Sequence, residues 1–305
     1  MSISSALQGL LRAALIFLAA LGATGCATRM TSAEKMTWST YALATPKGMG
    51  TCVVINRRDP QAPNGIAPII LSSSHLLSET PRGPFYLVFR QPVSGDNPSI
   101  GFLELRAPEP IDRPFVRHPF YDVAALRLEI PPEFADKISF PSYVAESSIG
   151  GPGTQEHVGD QVSILGYPHV FPGTEGGFPV LRGGRVASYS AVGYRHPDEF
   201  LVNTSVFAGD SGGPVFATNR SGKPALIGMI VERVGQERSG VPLAVAVNAT
   251  AIRETLQMQA QREKDYQNGR TPNSLNIAST GIPRVKLVGP PKTLKEMFRL
   301  WKRHR

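Results

Sequence analysis

Apolar or alternating runs of four to eight residues recur along most of this chain. The runs are "GMGTCVVINR", "APIILSSS", "FYLVFRQ", "GFLELRA", "VAALRLEI", "QVSILGYP", "GRVASYSAV", "FLVNTSV", "PVFATN", "ALIGMIVERV" and "PLAVAVN". Gly, Pro, Asn or Asp punctuates nearly every gap between them. Successive strand side chains face opposite ways, so evenly spaced period-two runs with turn residues between them predict an all-β protein, a sandwich or a barrel. The pattern breaks at "VNATAIRETLQMQAQREK". There Ile252, Leu256 and the flanking alanines fall on one face of a helix. The chain shows no internal repeat and no Cys/His cluster at metal-ligand spacing, so neither a metal nor an organic cofactor is expected.

The two ends read differently from the body. Residues 1–26, "MSISSALQGLLRAALIFLAALGATGC", carry one cation, Arg12, and then a small, apolar run to Gly22. That is the build of a secretory signal, too short and too weakly flanked for a stable transmembrane helix. Its close, Ala23-Thr24-Gly25-Cys26, resembles a bacterial lipoprotein cleavage box, although Ala23 stands where that box usually has leucine. Cys26 is then either the lipidated residue or incidental to ordinary signal cleavage. Residues 27–45 read as a polar linker. Residues 259–305 read as a second, flexible linker followed by a basic amphipathic helix. In that helix Leu294, Met297, Phe298 and Trp301 share a face. It would lie on an anionic membrane, dock on a protein partner, or pack on the body.

Composition narrows the class. The formal charge is +8, but Lys292 to Arg305 alone holds six Lys or Arg against one Glu. The body is therefore not expected to bind nucleic acid. With Cys26 lipidated or removed, the other cysteine, Cys52, has no disulfide partner and reads as a buried small hydrophobe.

One stretch carries chemistry: "VFAGDSGGPVF", residues 206 to 216. A serine hydroxyl is a weak nucleophile until a base takes its proton, and that base needs a third group to fix its tautomer. Among six histidines, His75 ends the apolar run "APIILSSS", where a rigid strand end would hold a base. His118, His169 and His196 each neighbour a proline and read as surface-loop residues. Asp122 heads the buried-looking run Val123 to Leu128, where a carboxylate needs a partner. It is also placed for an ordinary turn or cap. Asp160, in "VGDQV", is the rival. The glycines suit a turn that aims Gly209 and Ser211 N–H groups at one spot, an oxyanion hole, with Gly212 and Gly213 leaving room for substrate backbone.

With these residues in the order His, Asp, Ser, the sequence resembles the trypsin-like serine protease family over roughly residues 46–258. "LSSSHLL", "YDVAAL" and "VGDQVSILGYP" resemble its bacterial, HtrA-like branch. The resemblance implies two antiparallel six-stranded β-barrels with the site between them and a C-terminal helix. It implies Ser211 as nucleophile, His75 as general base and acid, Asp122 as orienter, and Gly209 and Ser211 N–H as the oxyanion hole. The floor of the primary pocket would be Ser205, with Val206 and Ala208 beside it and no fixed negative charge, so an uncharged apolar P1 side chain is expected; Glu232 or Arg233 on the pocket wall would overturn it. Too few residues follow the domain for a peptide-binding PDZ module. No Ile-Val-Gly-Gly-type start is present to pair with Asp210, whose partner is left unnamed. Gly209 to Gly213 also satisfies G-x-S-x-G, but that elbow needs a helix after the serine and a later histidine in the fold. The sequence therefore predicts an exported serine endopeptidase acting on protein or peptide substrates, lipid-anchored at the cell envelope. The alternative is a catalytically silent protease fold serving there as a binding module.

Overall fold

Period-two patterning becomes two β units joined by one long helix. The computed structural model describes residues 30–45, 48–60, 65–78, 85–91, 99–106, 115–128, 130, 138, 140–150, 157–169, 177–189, 196–219, 222–234, 242–268 and 284–288. The expected signal segment with Cys26 and the basic helix at 292–305 lie outside the described residues. The first unit contains β1 (Thr40–Thr45), β2 (Gly48–Arg58), β3 (Ile66–Ser72), β4 (Phe85–Gln91), β5 (Ser99–Arg106), β6 (Val116–Arg117), β7 (Ala124–Arg127), β8 (Val144–Ala145) and β15 (Arg284–Val288). Its path runs β15-β5-β4-β1-β2-β3-β7-β6, with β8 pairing in parallel on β2. The second unit, β9 (Gln161–Gly166), β10 (Val180–Val186), β11 (Glu199–Asn203), β12 (Pro214–Thr218), β13 (Pro224–Arg233) and β14 (Leu243–Asn248), closes as a six-stranded barrel.

The all-β class and the helix after the last barrel strand are as expected. Among the described residues only the second unit closes as a barrel. The first is a nine-stranded sheet, because β15 lengthens the path beyond β5.

Strand β2 explains why "TCVVIN" is apolar without interruption. Cys52 and Val54 point into the core of the first unit with Tyr41, Ile70, Leu87 and Leu126. Val53 and Ile55 point the other way, into a core shared with Leu165, Phe216 and Met229 of the barrel. A strand buried on both faces has no polar side to show. Cys52 is free and buried, and burial raises its thiol pKa.

Helix α3 (Ala249–Gln267) starts where the period changed. Asn248 Oδ1 accepts from Thr250 N and Ala251 N, an N-cap. Ala251, Ile252 and Leu256 enter the shared core. The polar face reaches the first sheet: Arg57 Nη2 donates to Leu256 O (2.7 Å), Arg127 Nη1 to Glu263 Oε2 (2.9 Å) and Arg262 Nη1 to Phe115 O (3.1 Å). The helix is thereby fastened to both units.

Two segments read as linker are structured. Residues 27–45 contain α1 (Ser32–Ser39) and β1. Thr31 Oγ1 accepts from Glu34 N, and Glu34 accepts from Thr31 N, a capping box already present in "TSAE". Strand β1 is buried from end to end, yet its small alternating Thr and Ala residues give little contrast to read. Its place is fixed by Arg90 of β4, fully buried. The guanidinium donates to Thr37 O (2.9 Å) and Thr40 O (2.7 Å) and lies 4.6 Å from the Tyr41 ring centre. The second case is β15, which adds to the edge of β5 from within the segment read as flexible.

Candidate active site

The chain enters the site at the end of β3, where Ser72, Ser73 and Ser74 lead into the short helix α2 (Ser74–Ser78). Three donors converge there on Asp122. Its Oδ1 accepts from Ser74 Oγ (2.7 Å) and His75 N (2.8 Å), and its Oδ2 faces His75 Nδ1 at 2.5 Å. Burial pushes the Asp122 carboxyl up, but the hydrogen bonds and charge of His75 and the bond from Ser74 outweigh it and hold the pKa below the ordinary value. An ionised acceptor at Nδ1 keeps the proton on that nitrogen. The lone pair of neutral His75 is then on Nε2, the form a general base needs.

Ser211 sits on the turn between β11 and β12. Gly209 (φ 99°) and Gly212 (φ 84°) adopt backbone conformations that side chains rarely tolerate. Space is equally decisive. A Cβ on Gly212 would meet Thr51 O and Ser72 Oγ, and one on Gly213 would meet Leu165 O. The room expected for substrate backbone is therefore occupied by β2, β3 and β9. Thr51 N donates to Ser211 O (2.8 Å) and Ser72 Oγ to Thr51 O (2.7 Å), so the turn is held against the strand end that leads into His75. Among the described residues, the Ser211 hydroxyl makes no hydrogen bond, to His75 or to any other group.

The main-chain donors of the turn divide cleanly. Asp210 N donates to Phe207 O, Gly212 N to Ile230 O and Gly213 N to Asp210 O. Among the described residues, Gly209 N and Ser211 N have no acceptor. Thr51 Oγ1 donates to Gly209 O at 2.7 Å and fixes the peptide between them. Two unsatisfied N–H groups flanking one residue are what an oxyanion hole requires.

The unnamed partner of Asp210 is Arg182 on β10. Its Nη1 and Nη2 donate to Asp210 Oδ2 (2.8 Å) and Oδ1 (2.6 Å), and Phe207 N donates to Oδ2 (2.7 Å). Asp210 has 0 % exposure. Burial raises its pKa, with Arg182 pulling the other way. Gly166 on the neighbouring strand leaves the channel for this pair, since a Cβ there would meet Asp210 Oδ1.

Several other expectations change. Val206 packs in the barrel core with Ile164, Phe200 and Ile230, so its side chain is not available to a substrate pocket. Ser205 and Ala208 are exposed, and Ser205 O accepts from Arg182 Nη1 at 2.8 Å. Glu232 is exposed and Arg233 half-buried. His118, read as a surface residue, is buried and paired with Glu254 on α3 at 3.0 Å. His169 is half-buried with its ring against Gly209, while His196 is exposed. Asp160 caps a turn, accepting from His157 N at 3.0 Å. Among the described residues, no acidic, histidine or cysteine cluster could hold a metal ion, and no helix is long and apolar enough to cross a membrane.

A family model, that of the trypsin-like peptidase domain, matches residues 50–229. No curated protein matches the chain. Among solved structures, the inactive form of a serine-to-alanine mutant of Rv3671c from M. tuberculosis H37Rv is similar at 17 % identity. It covers 78 % of this chain and 94 % of its own, with a TM-score of 0.45. The Rv3671c protease in its inactive form is similar at 17 % identity over 77 % and 95 %, with a TM-score of 0.44.

Proposed function

The chain belongs to the trypsin-like peptidase family, a family of hydrolases with polypeptide substrates, and on that premise we propose that it is an active serine endopeptidase working through Ser211, His75 and Asp122. The observation that carries this is the His75–Asp122 bond of 2.5 Å, with the carboxyl held ionised. Ser211 Oγ attacks the scissile carbonyl as His75 Nε2 takes its proton, and Asp122 steadies the imidazolium that forms. The developing oxyanion is met by Gly209 N and Ser211 N, both without an acceptor among the described residues. His75 then returns the proton to the leaving amine, and water hydrolyses the acyl-enzyme by the reverse sequence. The Arg182–Asp210 pair supports this by holding the turn without a newly cut N-terminus. Ser205 and Ala208, exposed beside the turn, would favour an uncharged P1 side chain. The signal-like segment and Cys26 support export and lipid anchoring at the envelope.

A fluorophosphonate probe tests the assignment. A covalent adduct on Ser211, lost in His75→Ala, is expected by mass spectrometry. A folded protein that stays unlabelled would overturn it and favour the silent binding module.

A further inference from the structure

Asp122 lies on a loop, His118 to Val123, that one side chain organises. His118 N donates to Val123 O (2.9 Å) and closes the loop, and Val123 N donates to Tyr121 O (2.8 Å). Within it, His118 Nδ1 accepts from Phe120 N and Tyr121 N, each at 3.2 Å. A ring nitrogen that accepts carries no proton, so neutral His118 is protonated on Nε2. That nitrogen faces Glu254 Oε2 of α3 at 3.0 Å. A second route joins the same elements. Tyr121 OH donates to Asp198 Oδ2 (2.7 Å), and Asp198 Oδ1 accepts from Asn248 Nδ2 (3.2 Å), the residue that caps α3. The rings of His118 and Tyr121 are 4.7 Å apart, so the two routes brace each other.

Closing a short loop needs no imidazole, since Asn or Asp side chains cap turn N–H groups readily. A histidine adds reach: one nitrogen holds the loop while the other is anchored a ring's width away. We propose that His118 is a positioning residue that couples helix α3 to Asp122, so that the first turns of the helix set where the carboxylate stands against His75. This rests on the proposed role of Asp122. The coupling also gives the barrel a hold on the acid, because α3 continues directly from the last barrel strand.

The test cuts the coupling without opening the core. Glu254 is half exposed at its side chain, so Glu254→Ala is expected to fold. His118→Asn places a carbonyl oxygen where Nδ1 stood, keeping an acceptor for the loop while losing the reach to the helix. Both are measured by kcat and KM on a peptide substrate and by the far-downfield NMR resonance of the His75 Nδ1 proton. In both variants kcat should fall roughly tenfold or more with KM unchanged, the effect of a small displacement at the reacting groups. The resonance should move upfield or broaden. Glu254→Gln, which keeps an acceptor, should restore both readouts. Wild-type kcat and an unmoved resonance in Glu254→Ala and His118→Asn would overturn the proposal, even if both variants melt earlier. A Glu254→Gln variant as impaired as Glu254→Ala would make the effect one of charge and overturn it as well. A wild-type chain with no peptidase activity would refute the endopeptidase assignment alone, since the resonance still reports on the coupling.

Discussion

Asp210 is fully buried and Asp122 half-buried, and each is engaged by a cation or a histidine, yet their carboxyls shift in opposite directions. At Asp122 the hydrogen bonds win. A depressed folded pKa contributes stability above the ordinary carboxylate value and loses it as pH falls through the folded value. Asp122→Asn is expected to lose turnover roughly ten-thousand-fold while staying folded. Its urea midpoint should differ from wild type near neutrality, and the gap should close in acid. At Asp210 burial wins despite Arg182. Arg182→Met would strand a buried carboxylate and cost about 3–5 kcal/mol at neutral pH, measured by urea unfolding. A raised folded pKa means stability that is present below the ordinary carboxylate value and lost as pH rises through the raised one. The Arg182→Met deficit should therefore shrink as pH falls. A deficit equal at every pH would mean that Arg182 acts through packing. Arg182 could not be picked out beforehand, because its pairing with Asp210 depends on β10 lying beside β9, with Arg182 opposite Ile164. The His75–Asp122 contact was legible because a histidine at a strand end and a carboxylate at a buried border each call for a partner. His118 was not, because a histidine before a proline looks the same in a loop and in a latch.

Strands were legible where period-two contrast was strong and both ends carried turn residues. Their ends were displaced where a glycine pair imitates a turn. Gly183-Gly184 lies inside β10, and a Cβ on Gly184 would meet Asn203 O and the Ile164 side chain. Gly184 serves close packing within the barrel, whereas a Cβ on Gly183 would meet nothing within 4 Å. The turn around Ser211 sharpens the distinction between glycines required by conformation alone and those required also by space. Gly222, in the β12–β13 hairpin, has φ 75° with open space around its missing Cβ. Gly222→Ala should cost about 1–2 kcal/mol of backbone strain and leave the rate of fluorophosphonate labelling unchanged. Gly212 has the same sign of φ but faces Thr51 O and Ser72 Oγ. Gly212→Ala must push Ser211 away from the strand end that leads into His75, and labelling should fall roughly a hundredfold or more. Equal labelling in the two variants would show that this turn does not need its contact with β2 and β3.

At the scale of the whole molecule, the first and last strands of the chain lie in one sheet. Strands β1, β4, β5 and β15 are neighbours, and each pair is antiparallel. β1 therefore begins at the end of the sheet where β15 finishes. The register Ala42–Val88, Val88–Phe102, Phe102–Val288 puts the last residue of β15 level with Ala42. Three strand spacings separate them, about 14 Å. One acyl-type anchor gives only marginal membrane binding, whereas a lipid and a polybasic amphipathic segment together hold firmly. Cys26→Ser is accordingly expected to move the protein from the membrane to the soluble fraction of producing cells. Substituting Lys292, Lys295, Arg299 and Lys302 by glutamine should leave the lipidated chain attached but extractable at lower detergent. Salt should weaken retention of the wild type little, and should release any residual Cys26→Ser chain from the membrane, since a contact made by the tail alone would be electrostatic. Full, salt-resistant retention of Cys26→Ser would exclude lipid anchoring at that cysteine.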